Sequence, residues 1–387
     1  MHPFIYKRMV GAVDPAATAG DVVYIYDKAG RFFGQGLYHP VSQIAVRVLA
    51  HDDAPIDDAF WRAAIGRAVA HRRSLGLDET TDAYRVIHAE GDRLSGLVVE
   101  RYADCLVMEF FSLGMYQRRA LIGRLLSEAM GPPPAASAAG GLAVQWRIVH
   151  RADAQIERIE GFRIDRGGEV ANRRSVTIRE SGVRYRVDVA AGHKTGFFCD
   201  QRDNRRRFAG LCRGRDVLDV CCYTGGFGIS AKAQGGAAEV VCVDLDEAAL
   251  AVAGENVRLN NVRVKTVHSD AFIYLRQMIE NRRSFGAVVV DPPKFATSRP
   301  ALDDALKKYH DLNRLACQVV EPWGVLLTCS CSGLVSRDRF FATVGHSARA
   351  AGRKIQVFDE SGAAADHPVA PECPESGYLK CLWLRVQ

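Results

Sequence analysis

Lysine is scarce in this chain: of 51 basic residues ten are Lys and 41 are Arg. Long apolar stretches are missing too. None reaches the roughly 18 residues needed to span a bilayer. The N-terminal MHPFIYKRMVGAV has no charged-then-apolar signal pattern. These two absences lead to the expectation of a cytosolic protein. No CxxC pair or His/Cys cluster has zinc-ligand spacing, so no metal site is expected. The 11 cysteines are odd in number and cannot all pair. Cys221, Cys222 and Cys242 sit inside apolar runs, which reads as buried or reactive thiols in a reducing compartment.

What is present is a chain of 387 residues, too long for one ordinary core, so two or three domains are expected. Hydrophobic residues make up 48% and charged residues 25%, the balance of a globular protein. The net charge of +6 is only mildly basic. Its distribution says more. Between Arg202 and Arg215 six arginines (202, 205, 206, 207, 213 and 215) face one acid, Asp203. Guanidinium forks match phosphate geometry bidentately. A GC-rich genome would also favour Arg codons, and accounts for part of the total.

Residues 1–57 read as β-rich, with VVYIYD (22–27), FFGQGLYH (32–39) and QIAVRVLA (43–50) separated by turns. Asp57 is placed to cap a following helix. Residues 58–180 read as a second module of order β-β-α-β-β. Its strands are drawn from YRVIHAE, LSGLVVERY, CLVMEFF and AVQWRIVH, and its helix runs from about Met115 to Met130. GPPPAASAAGG (131–141) is read as a flexible break. From 181 to 387 a hairpin-like RESGVRYRVDVA leads into strict alternation. The strands are DVLDVC, EVVCVDL, VKTVHSD, GAVVVDP and GVLLTCS, with helices between them. Short β-branched runs alternating with helices imply a parallel sheet covered on both faces, an α/β fold. KIQVFDES and YLKCLWLRVQ suggest an antiparallel pair closing it.

Such sheets bind ligands where their strands end. Four ends stand out. The turn holding Tyr223, Thr224 and Gly225 lets backbone approach a ligand closely. Asp244 suits a ribose diol. Asp270 and Ala271 suit an adenine amino group, although Asp270 serves equally well as a helix cap. Asp291-Pro-Pro-Lys294-Phe295 holds a carboxylate rigidly at a strand end. The fifth strand ends in Cys329-Ser-Cys331-Ser-Gly. A thiol deprotonates near neutral pH to a strong nucleophile. Alternation puts both cysteines on one side, and Cys331 lies nearer the open end. Both also fit as small buried hydrophobes. A thiolate has a specific use beside a methyl donor. Added at carbon-6 of a pyrimidine, it makes carbon-5 nucleophilic, and Asp291 could hold the ring edge of cytosine meanwhile.

These stretches resemble the bacterial large-subunit ribosomal RNA cytosine carbon-5 methyltransferases of the RlmI family. The matches are GHKTGFFCDQRDNR (192–205), CYTGGFG (222–228), VVCVDLD (240–246), VVVDPPKF (288–295), LLTCSCSG (326–333), DHPV (366–369) and YLK (378–380). SQIAVRV (42–48) and DRLSGLVVERY (92–102) match more weakly, so the likeness covers nearly the whole chain. The resemblance implies an N-terminal PUA domain for RNA, a central α+β module and a C-terminal class I methyltransferase domain. It implies S-adenosyl-L-methionine as donor, 23S rRNA as partner, no membrane, and Cys331 rather than Cys329 as nucleophile. It places Gln201 and Arg202 near the cofactor or target base. With the Arg cluster it makes Lys194, Arg202, Arg205, Arg206 and Lys294 the expected RNA contacts. Whether the chain forms a homodimer is left open by the sequence.

Two other readings compete. An exocyclic amino methyltransferase would use the aromatic of its D/N-P-P-aromatic motif to stack on a flipped base. Here Lys294 takes that place and Phe295 follows one position late. A non-catalytic RNA-binding protein would need only the N-terminal domain and the Arg cluster.

Overall fold

The computed structural model describes residues 1–133, 145–165, 175–189, 196–296 and 298–387. Most of the expected break at 131–141 therefore lies outside the described residues. The described residues form two compact units, neither of them continuous in sequence. The first comprises Met1–Arg179, Val187–Cys199 and Ala365–Ser376; the second comprises Glu180–Arg186, Asp200–Ala364 and Gly377–Gln387.

In the first unit, β1 (Phe4–Tyr6), β2 (Val22–Tyr26), β3 (Phe32–Tyr38) and β4 (Ile44–Ala50) form an antiparallel sheet of order β1-β4-β3-β2. Helix α1 (Asp58–Ser74) begins where expected. The Asp57 carboxylate takes the amides of Ala59 and Phe60, which the first turn would otherwise leave bare. Next come β5 (Ala83–His88), β6 (Leu97–Tyr102), β7 (Cys105–Phe110), α2 (Leu113–Gln117), α3 (Arg119–Met130), β8 (Arg147–Arg151) and α4 (Ala154–Glu160). Three strands therefore precede the helical segment, not two. Strand β8 pairs parallel to β7, and α2–α3 supply the crossover that a parallel neighbour requires. The DHPV stretch belongs to this unit. Asp366 accepts the Arg85 amide at 2.8 Å and, through its carbonyl, Arg72 at 2.7 Å, while Arg72 also grips Asp92. Asp366 is thus a buried structural anchor.

The expected hairpin is β9 (Ser175–Glu180) and β10 (Val183–Asp188), turned by Ser181 and Gly182, both at positive φ.

The second unit is built on a seven-stranded sheet. Its elements are α5 (Arg202–Gly210), β11 (Val217–Val220), α6 (Gly226–Ala233), β12 (Val240–Asp244), α7 (Glu247–Leu259), β13 (Lys265–His268), α8 (Ala271–Glu280), β14 (Phe285–Val290), α9 (Leu302–Val319), β15 (Val320–Ser330), α10 (Arg337–Ala350), β16 (Ile355–Ser361) and β17 (Lys380–Val386). The strand order is β13-β12-β11-β14-β15-β17-β16. The first five are parallel, and β17 and β16 close the sheet antiparallel, as the sequence predicts.

Successive side chains of a strand point to opposite faces. Leu218, Val220, Val288, Val290 and Leu326 enter one core; Val217, Ala287, Val289, Leu327 and Cys329 enter the other. That double burial is why these strands read as unbroken apolar runs. Among the described residues no helix is long and apolar enough to cross a membrane.

Candidate active site

The parallel strands of the second unit run in register, so their C-terminal ends share one edge of the sheet. Strand β11 ends in a strained loop. Cys221 (φ 60°), Tyr223 (φ 51°) and Gly225 (φ 82°) all take the left-handed region. For a residue with a Cβ this costs on the order of 1–3 kcal/mol, and such strain gathers at ligand sites. The turn brings the Tyr223 amide onto Asp244 Oδ2 at 2.7 Å, while Asp244 Oδ1 accepts the Asp246 amide at 2.9 Å. Asp244 is thereby fixed against the glycine turn. At Gly228 an added Cβ would lie 2.3 Å from Cys242 Sγ, so only glycine lets α6 pack this close to β12.

Asp270 is the N-cap of α8: its Oδ1 accepts the amides of Phe272 and Ile273. Ala271 is the first residue of that helix. Asp246 caps α7.

The electrostatics of this edge are set by its acids. Burial raises the Cys221 thiol first, and the carboxylates of Asp244, Asp291, Asp219 and Asp270 raise it further. Four acids from four strand ends therefore gather around one residue. Burial also pushes Asp219 up to about 7, although its Oδ2 accepts the Gly228 amide at 2.8 Å. Asp219 Oδ1 and Thr224 Oγ1 are buried and have no hydrogen-bond partner among the described residues. A bound polar ligand would satisfy such groups.

These features fit S-adenosylmethionine. Its sulfonium and ammonium are cationic and match the acidic edge. Its ribose hydroxyls suit Asp244, and the glycine turn admits close backbone contact. Tyr223, Thr224 and Gly225 would hold it on one side and Asp244 with Asp270–Ala271 on the other.

The two cysteines differ in burial. Cys329 is within β15 and fully buried, and its thiol is pushed well above its ordinary range by burial. Cys331 lies one residue beyond the strand, half-buried, with its Sγ 3.9 Å from the carbonyl oxygen of Pro292. The thiol and the Asp291-Pro292 segment therefore meet at the sheet edge. Asp291 Oδ2 accepts Gln201 Nε2 at 3.0 Å.

Lys380 is a site residue that the strand-end pattern alone does not single out. It donates to the carbonyls of Ser332 at 2.7 Å and Val335 at 2.9 Å and so ties down the loop after Cys331. Burial lowers its ammonium to about 8. Its presence in the YLK stretch was the available signal.

The Arg cluster divides. Arg206 is exposed on α5 and Lys294 is exposed after β14, as an RNA contact requires. Arg205 is not available: it is buried and makes two 2.7 Å bonds to Glu180, itself buried. Arg202 is 4% exposed, with its Nε 3.4 Å from Asp203. Both were expected to face phosphate and instead point inward, because they share the face of α5 that carries Phe208 and Ala209. Arg207 pairs with Asp359 and lies over the Trp383 ring. Lys194 lies outside the described residues.

Comparison with known proteins agrees with this geometry. Residues 95–369 match the S-adenosylmethionine-dependent methyltransferase family, and residues 1–51 match the PUA-like domain. The chain is 38% identical to "Ribosomal RNA large subunit methyltransferase I" of Tolumonas auensis, covering 100% of this chain and 95% of that one. It is 37% identical to the protein of that name from Aeromonas hydrophila, covering 100% and 96%. In fold it is similar to an S-adenosylmethionine-dependent methyltransferase assignment from Streptococcus mutans, with a TM-score of 0.79 at 19% identity over 99% of this chain and 95% of the other. A protein called SMU.776, assigned as a methyltransferase and crystallised with S-adenosylhomocysteine, gives a TM-score of 0.80 at 19% identity over the same shares.

Proposed function

Since the chain belongs to the ribosomal RNA large subunit methyltransferase I family of S-adenosylmethionine-dependent methyltransferases, we propose that it forms 5-methylcytosine in 23S rRNA through a covalent Cys331 adduct. The observation that carries this reading is the half-buried Cys331 thiol at the sheet edge, 3.9 Å from Pro292 and beside the rigid Asp291. Transfer to an amine or hydroxyl needs no such thiol; transfer to a pyrimidine carbon does.

Bound S-adenosylmethionine supplies an electrophilic methyl group. The Cys331 thiolate adds to carbon-6 of the flipped cytosine, and the electrons of the 5,6 double bond pass into the ring as an enamine. Asp291 accepts from the cytosine amino group and so holds the ring in line, while ring nitrogen-3 takes up a proton and keeps the adduct neutral. With S-adenosylmethionine bound, carbon-5 would take its methyl group and S-adenosylhomocysteine would leave; a base then removes the carbon-5 proton, nitrogen-3 gives its proton back, and elimination restores the 5,6 double bond and frees the Cys331 thiolate. Gln201 keeps Asp291 in place. Arg206 and Lys294 meet the phosphates. Residues 1–57 act as the RNA-binding PUA domain, 58–180 as the central module and 181–387 as the catalytic domain of a cytoplasmic enzyme.

The exocyclic amino alternative is disfavoured by Phe295. Its ring is half-buried, packed on Tyr309 at 4.9 Å and against the core, which ties it to the fold rather than offering it to a flipped base.

The test has two parts. Cys331→Ala should abolish methyl transfer while S-adenosylmethionine binding, measured by calorimetry, persists. RNA carrying 5-fluorocytidine should become covalently attached to the wild-type protein, because fluorine cannot leave as the proton does, and should not attach to Cys331→Ala. Methyl transfer retained by Cys331→Ala would eliminate the adduct. Mass mapping of 23S rRNA nucleosides with and without the protein identifies the target.

A further inference from the structure

Behind Asp291 runs a chain of hydrogen bonds, and each link has a fixed direction. The indole Nε1 of Trp383 can only donate, and it donates to Ser361 Oγ at 2.8 Å. Ser361 in turn donates to Asn204 Oδ1 at 2.7 Å. That leaves Asn204 Nδ2 to donate to Gln201 Oε1 at 2.7 Å and to the Gly362 carbonyl at 3.1 Å. With its oxygen occupied, Gln201 must present Nε2 to Asp291 Oδ2, 3.0 Å away. Amide orientations are ordinarily ambiguous, because nitrogen and oxygen look alike. Here both are settled by the Gly362 carbonyl, which can only accept and so requires the Asn204 nitrogen on its side, with the Gln201 oxygen turned toward that nitrogen.

We propose that Asn204 is a positioning residue for the reaction, relaying the donor at Trp383 and Ser361 through Gln201 so that the Asp291 carboxylate receives a hydrogen bond and is held facing the target base. This inference rests on the catalytic role given to Asp291. Gln201 and Asn204 are 2% and 3% exposed, so water does not substitute for a missing partner. The relay does not touch substrate. It decides which end of the Gln201 amide Asp291 meets. If Gln201 turned over, an amide oxygen would face a carboxylate oxygen, and repulsion would drive Asp291 out of line.

Asn204→Asp keeps the shape and removes the donor. Gln201 then turns its Nε2 toward residue 204 and its oxygen toward Asp291. A misplaced group of this kind lowers turnover by roughly 10–100-fold. The expected result is a loss of that size in kcat, with the KM and calorimetric Kd for S-adenosylmethionine within about twofold of wild type. A role in folding alone would not split the two constants this way.

A second pair guards against misfolding of Asn204→Asp. Ser361→Ala should lower kcat severalfold, and Ser361→Thr, which keeps the hydroxyl, should restore it. Asp291→Asn is measured alongside. Severe loss in Asp291→Asn with Asn204→Asp near wild type overturns the relay and leaves the catalytic reading standing. Near-normal kcat in Asp291→Asn overturns the catalytic reading and the relay with it. A fall in Asn204→Asp seen only in the KM for S-adenosylmethionine also overturns the relay.

Discussion

Replacing Arg205 by methionine should damage stability. Methionine keeps much of the aliphatic stem and removes the charge. The partner Glu180 is then left ionised and alone in a site where both side chains are 3% exposed. Breaking such a pair by removing one member costs about 3–5 kcal/mol. The second unit has roughly 180 residues. For a domain of that size each kcal/mol moves Tm by about 2–4 °C. The expected drop is therefore about 6–20 °C by calorimetry or circular dichroism. Arg205→Met with Glu180→Leu removes both charges, and should recover most of that loss, because apolar replacement of a whole buried pair is close to neutral. A single variant that melts within about 2 °C of wild type would refute the reasoning, as would a double variant that melts no higher than the single.

Stability should also depend on pH through Asp219. Its pKa rises from 3.8 to about 7 on folding, through burial. The folded chain keeps a proton that the unfolded chain gives up, so the stabilisation is complete below about pH 4, falls as pH rises towards about 7 and is level above that. Asp219→Asn cannot titrate and should lack this fall; equal changes in urea midpoint between about pH 5 and about pH 8 for the two proteins would refute the cause. Lys294→Ala and Arg206→Ala should each flatten the dependence of log RNA affinity on log salt, by about 0.7 for every phosphate that is no longer neutralised. An unchanged slope would show that these cations face solvent only.

Most of the catalytic architecture was legible because it obeys local rules. The parallel strands announce themselves as β-branched runs, and Asp57, Asp246 and Asp270 stand where bare helix amides need an acceptor. The direction of α5 was not legible from charge alone. A run of arginines reads as a phosphate-facing surface until the spacing of Arg202, Arg205, Phe208 and Ala209 is followed around the helix, and only the fold supplies Glu180 to neutralise the inward pair. Strand alternation alone did not choose between Cys329 and Cys331, because strand ends are the least certain feature of a sequence pattern; the resemblance named Cys331. Asn204, Ser361 and Trp383 carry no local signal. They come together because β16 and β17 join the sheet long after α5 in the sequence.

The chain passes between its two units five times, at 179/180, 186/187, 199/200, 364/365 and 376/377. No single proteolytic nick can therefore release either unit whole, and a gene truncated to its C-terminal half would encode a stranded Asp366 lacking the Arg72 and Arg85 that bind it. Recombination that swaps one half for a homologue's would bring together segments that never co-evolved.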